Sequence, residues 1–152
     1  MKEINMELLQ KDALEIFNSG FACSESVIYT IRKNFELDLS DDAIAMSSGF
    51  PWGLGGGGCI CGALAGGTMC LGYFFGRRKP GDPKINKCFE VCNELHDFFH
   101  DTFDATCCGL LIEGEEKNSA KRKQKCSHFV IETTQKVAEI IIRELPEYAK
   151  FV

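Results

Sequence analysis

The chain has no surplus of positive charge. Its 17 Lys and Arg stand against 22 Asp and Glu, a net charge of −5 with His neutral. A nucleic-acid binder needs a basic face to neutralise phosphates, so the balance argues against that class. Histidine is scarce, three in all, and no Ser-His-Asp arrangement emerges to define a hydrolase. No stretch alternates polar and apolar residues for long, so no sheet is expected. Internal repeats and low-complexity tails are missing. Residues Met1 to Glu7 hold neither an apolar h-region nor a small-residue cleavage site. A cytoplasmic location is therefore the expectation, and there thiols are kept reduced.

What is plentiful is cysteine, nine in 152 residues, and glycine, fifteen. The length suits one domain, 1–152. Nine is odd, so one chain cannot pair every cysteine with another. In a reducing compartment such an excess points to metal or redox chemistry. Residues Ala43 to Gly76 carry no charge, eleven of them are Gly, and Arg77-Arg78-Lys79 follows. A membrane span with a positive flank is one reading. The apolar part from Cys59 to Phe75 is short for that and rich in small residues, so a buried core helix behind a tight glycine loop is preferred.

Helical spacing organises the rest. Met6, Leu9, Ala13, Ile16 and Phe17 form one stripe, and Cys23, Val27, Ile31 and Phe35 a second. Ser40 with Asp41-Asp42 opens a short helix ending near Gly49-Phe50-Pro51. A buried helix is predicted from about Cys61 to Tyr73 and a long one over Lys84 to Phe103, with Asp82 as its cap. Cys107 to Gly114 reads as a connector. The last helix starts near Asn118-Ser119 and ends at Pro146. The fold class is all-α: a compact single-domain bundle of about five or six helices, with a Gly-rich loop before a buried helix.

Cys23, Cys61 and Cys126 lie on inward stripes of three separate helices. For any one of them plain packing is a sufficient reason, since free Cys behaves as a small hydrophobe. Cys23 and Cys61 also sit near helix N-termini, where the dipole favours thiolate, while burial opposes it. Cys59-Ile60-Cys61 lacks C-x-x-C spacing, and the pair shares a metal only if the loop keeps Cys59 extended. Cys107-Cys108 are adjacent. A disulfide between neighbours is strained, so either one is a bystander or they have different partners. Cys88, Cys92, His96 and His100 recur every four residues and could clasp a metal. An ordinary helix face is the preferred reading there. Cys126 and His128, two apart, diverge on a helix.

Two jobs are open to the glycines. Gly55 to Gly58 can present consecutive N–H groups to an anion or to cluster sulfides. Gly57, Gly58, Cys59 and Gly62 are then the cofactor-side residues. Alternatively, Gly58, Gly62 and Gly66 at four-residue spacing let a second backbone approach, in the core or across a homodimer contact, and this close packing is the preferred reading. The run is neither a Rossmann fingerprint nor a P-loop.

Gly20-Phe21-Ala22-Cys23-Ser24-Glu25-Ser26-Val27, Cys61-Gly62-Ala63-Leu64-Ala65-Gly66, Phe103 to Leu111 and Cys126 together resemble a family of small redox-active proteins with four cysteines and a C-G-A-x-x-G motif, the C_GCAxxG_C_C family. Ala22 replaces an expected Asn and Gly109 an expected Arg. The resemblance implies that Cys23, Cys61, Cys108 and Cys126 are the functional thiols. It also implies redox activity, since similar domains occur joined to electron-transfer cytochromes where an iron–sulfur centre is suspected. The four would hold an iron–sulfur cluster or cycle between dithiol and disulfide, exchanging electrons with an unidentified redox partner protein. Zinc on the same thiolates, or a partner-binding helical module without redox activity, is the alternative. Cys59, Cys70, Cys88, Cys92 and Cys107 receive no role from the resemblance.

Overall fold

The computed structural model describes residues 1–152. It is mostly helical. Six helices have seven or more residues: α1 (Met6–Asn18), α2 (Cys23–Phe35), α3 (Asp41–Ser47), α5 (Gly62–Phe75), α6 (Lys84–Phe103) and α8 (Ala120–Glu144). Two four-residue segments, α4 (Pro51–Leu54) and α7 (Cys108–Leu111), interrupt the long loops. The predicted connector at Cys107 to Gly114 therefore contains a helical turn.

Local chemistry sets the ends. Asn5 opens α1 by accepting the Leu8 N–H at 3.0 Å. At α2 the Glu25 carboxylate reaches back to the Ala22 N–H at 2.8 Å, satisfying a donor the helix cannot. Ser40 accepts the Asp42 N–H at α3, and Ser119 accepts the Arg122 N–H at α8. Asp82 accepts the Lys84 N–H at 2.9 Å, one residue before the observed α6 cap, Pro83.

A two-stranded parallel ladder pairs β1 (Lys2–Ile4) with β2 (Ala149–Phe151), Ile4 facing Phe151. The fold class is all-α as expected, and this short ladder is an addition that no period-2 pattern signals. Three residues are too few to show a period, and the pairing joins segments at opposite ends of the chain.

α5 is the central element and packs against α2, α6 and α8. Its glycines make this close packing possible. A Cβ on Gly66 would meet the Ser24 carbonyl oxygen at 2.6 Å and its Cα at 2.9 Å. One on Gly67 would meet Thr133 Cγ2 at 2.8 Å and Leu95 Cδ2 at 3.0 Å. Leu64 and Leu71 of this helix are fully buried, each contributing about 1.5–3 kcal/mol of apolar burial. No helix is long and apolar enough to cross a membrane. Within the uncharged run the α5 part is core, whereas Met46 and Leu54 to Gly57 are exposed.

Candidate functional site

Three of the four motif cysteines are placed by helix beginnings. Cys23 is the first residue of α2, Cys61 the cap of α5 and Cys108 the first residue of α7. Cys126 lies in the second turn of α8. Cys23, Cys108 and Cys126 line one cavity of about 220 Å³, walled by Phe21, Trp52 and Arg122. Cys61 is buried below it. The Cys23 sulfur rests on Gly62, in the space a side chain there would need. Four chain segments thus bring their thiols to one end of the bundle.

The thiols feel one another's charge. Burial pushes the Cys23 thiol up to about 11, the charge of Cys126 adds to the rise, and Cys108 adds a smaller increment. Cys61 is raised mainly by burial and then by Cys23, against the N–H groups of Leu64 and Ala63. Cys108 is raised by burial and by Cys126, while the Arg122 guanidinium pulls it down. Raised values mean that Cys23 and Cys61 rest as neutral thiols at pH 7. Each ionisation makes the next harder, so a metal bond or a sulfur–sulfur bond formed here must first draw a proton from a thiol that holds it tightly.

Trp52 and Arg122 belong to the site and were not visible in the sequence pattern. The Arg122 guanidinium lies 4.7 Å over the Trp52 ring and its Nε–H donates to the Lys117 carbonyl at 2.8 Å. Lys117 Nζ is 4.8 Å from the same ring. Trp52 itself has a positive φ of 63°. Such a conformation costs a bulky residue on the order of 1–3 kcal/mol, which its surroundings must offset. The one available signal is the chain's single Trp standing just ahead of a glycine run.

The glycine loop does not present its N–H groups to the thiols, contrary to the expectation for Gly57 and Gly58. The Gly58 N–H donates to the Trp52 carbonyl at 3.2 Å, the Gly57 N–H to Leu54 and the Cys59 N–H to Gly53. Positive φ at Gly53, Gly55, Gly56 and Gly58 curls the loop back on itself, so its donors are consumed internally. Gly58, in the loop, faces Gly109 of the short segment α7 rather than a crossing of two long helices. Gly62 does reach the site, by offering a bare Cα to Cys23. Cys59, grouped with these glycines as cofactor-side, is bonded instead to Cys107 as a disulfide with Cα atoms 4.3 Å apart. The neighbours Cys107 and Cys108 thus have different surroundings. The other seven cysteines are free.

The α6 stripe divides. Cys88 is buried and Cys92 half-buried, whereas His96 and His100 face solvent. No group of three or more His, Cys, Asp or Glu side chains stands at ligand spacing. At the motif thiols the donor atoms suit iron or zinc in kind, and in this arrangement they are not drawn into a ligand shell.

Residues 21–140 match the family described as "Putative redox-active protein (C_GCAxxG_C_C)". An "Uncharacterized protein" of Archaeoglobus fulgidus is 24% identical over 131 residues, covering 82% of this chain and 87% of that protein. No solved structure matches. The chain belongs to the C_GCAxxG_C_C family, whose stated character is redox activity.

Proposed function

We propose that this family member is a thiol redox protein in which Cys108 is the entry thiol and Cys126 its partner. The observation that carries this reading is their position on one open cavity, with the Arg122 cation beside Cys108. Cys108 is half-buried, and of Cys23, Cys61 and Cys108 it alone has a cation opposing its rise. It is therefore the readiest of those three to present a thiolate at the opening.

The oxidant is a disulfide, R–S–S–R. The Cys108 thiolate attacks one sulfur, forming Cys108–S–R and releasing RS⁻, which takes up a proton. Cys126 gives its proton to solvent and attacks Cys108 Sγ, releasing the second RS⁻. The protein loses two electrons and two protons, and the oxidant becomes two thiols. Cys23 and Cys61, deeper and neutral, hold the floor of the site.

A second reading has the four thiols bind a metal, as an iron–sulfur cluster or as zinc. Sulfur donors gathered from four chain segments support it, and the raised pKa of Cys23 and Cys61 makes binding pH-dependent, since each thiol must release its proton to ligate. A cluster would supply one-electron transfer; zinc would be redox-silent. An electron-exchanging partner protein fits either redox form.

The test is oxidation of the protein by glutathione disulfide, followed by peptide mapping. A Cys108–Cys126 link, with Cys126→Ser trapping glutathione on Cys108, is the expected result. No modification at Cys108 overturns the thiol reading. Iron and zinc analysis of protein purified without oxygen addresses the metal reading.

A further inference from the structure

The Cys59–Cys107 disulfide lies outside the motif set, yet it joins the two segments that carry two of the motif thiols. Cys59 and Cys61 share one segment, Cys107 and Cys108 the other. On one side of the disulfide the Gly109 N–H donates to the Gly58 carbonyl at 2.9 Å. On the other the Cys61 N–H donates to the Thr106 carbonyl at 2.8 Å. The crosslink therefore sits between two hydrogen bonds and holds Cys61 and Cys108 in fixed relation. It closes a sequence separation of 48 residues that contains α5 and α6. Cys59 faces solvent and Cys107 is half-buried.

We propose that Cys59–Cys107 is a second two-electron redox couple, reduced from solvent by a dithiol, whose state controls how far Cys108 can move. A thiolate of the dithiol attacks Sγ of Cys59, the exposed residue of the pair, and the bond to Cys107 breaks. Cys107 leaves as a thiolate and takes up a proton. The second thiol of the reductant, losing its proton, then attacks the mixed disulfide at the reductant's own sulfur and frees Cys59, which is protonated. The chain gains two electrons and two protons, and the dithiol becomes a cyclic disulfide.

After reduction the segments keep the two backbone hydrogen bonds and the packing of Gly58 against Gly109, with no covalent link between them. On one flank the chain is the glycine run 55–58, which has no side chains to hold it. Cys108 follows Cys107 directly, so freedom gained at Cys107 passes to the entry thiol. The four motif thiols contain no such device themselves. Cys70 provides an internal reference, since it is buried and lines a different cavity, with Ile28 and Tyr73.

The experiment uses the full chain, prepared without oxygen and equilibrated with dithiothreitol in graded ratios of reduced to oxidised form. Cysteines are then alkylated under native conditions and mapped by peptide mass. Cys59 and Cys107 should become labelled together while Cys70 stays protected. Cys108 labelling should then accelerate on the order of tenfold, the step expected when an ordered segment opens. A Cys59→Ser, Cys107→Ser double variant should show the fast Cys108 rate without reductant. A disulfide that yields only when Cys70 is also labelled is a structural staple and overturns the proposal. So does an unchanged Cys108 rate in the reduced wild-type protein. Fragment-ion sequencing assigns each label to a single cysteine, including the adjacent Cys107 and Cys108, so this outcome is separate from whether Cys108 pairs with Cys126.

Discussion

The Cys23 sulfur rests on the bare Cα of Gly62, so that the first residue of α2 and the first residue of α5 fit together only because one of them has no side chain. One turn further, Gly66 receives the Ser24 backbone in the same way. The motif glycines thus set the depth at which the motif thiol sits.

Gly66→Ala should destabilise the protein by about 1–3 kcal/mol through overpacking against Ser24. Gly72→Ala, on the same helix with open space at its Cβ, should stabilise it by about 0.5–1 kcal/mol by restricting the unfolded chain. Denaturant titrations of both check the contrast. Equal effects would mean that the α2–α5 approach is not close.

Arg122→Met should slow alkylation of Cys108 in metal-free protein at mildly alkaline pH. The guanidinium holds the Cys108 thiol down against burial and Cys126. Without it the pKa rises further and the thiolate fraction falls, by about two- to fivefold for a partly solvated charge. Stopped-time alkylation with mass mapping measures this, and a faster rate would remove Arg122 from the site's electrostatics.

If iron or zinc accompanies protein purified without oxygen, Cys61→Ser should lose it and Cys70→Ser should keep it. A hydroxyl is a poor substitute for a thiolate ligand. Cys70 lies on a separate apolar cavity with Ile28, Met46 and Tyr73, away from the four motif thiols. Burial alone pushes its thiol up to about 12. Metal per chain is the readout; retention in both variants removes Cys61 from the ligand set.

Acid should weaken the α6–α8 pairing through Glu94. Hydrogen bonds from Arg143, two at 2.7 Å, and from Lys136 hold its carboxyl down at about 2, against an ordinary 4.5. A depressed carboxylate contributes stability above the unfolded value and loses it as pH falls from about 4.5 through about 2. Glu94→Gln should cost about 1–2 kcal/mol near neutrality, discounted because both partners are partly solvated. Wild type and variant should converge at the acid end. Thermal unfolding across that range checks it, and a constant difference would assign the loss to packing instead.

Periodicity made the helices legible. Lys84 to Phe103 repeats its apolar face every three or four residues and follows a Pro-Gly-Asp-Pro turn, and α6 has those bounds. The inward stripes of Cys23 and Cys61 were equally local, because a helix aligns i with i+3 and i+4 whatever surrounds it. The four-cysteine pattern with its C-G-A-x-x-G centre identified the family from residue types and order alone.

Tertiary structure decided what distance along the chain conceals. The partner of Cys107 is 48 residues away, and no local period relates it to Cys59. The loop glycines have the N–H donors for a cofactor, but left-handed backbone at Gly55, Gly56 and Gly58 turns them to carbonyls of the same loop. The β1–β2 ladder joins the two ends of the chain with three residues on each side. In each case the sequence specified which groups were available, and the choice among partners was made by which segments the packed helices hold side by side.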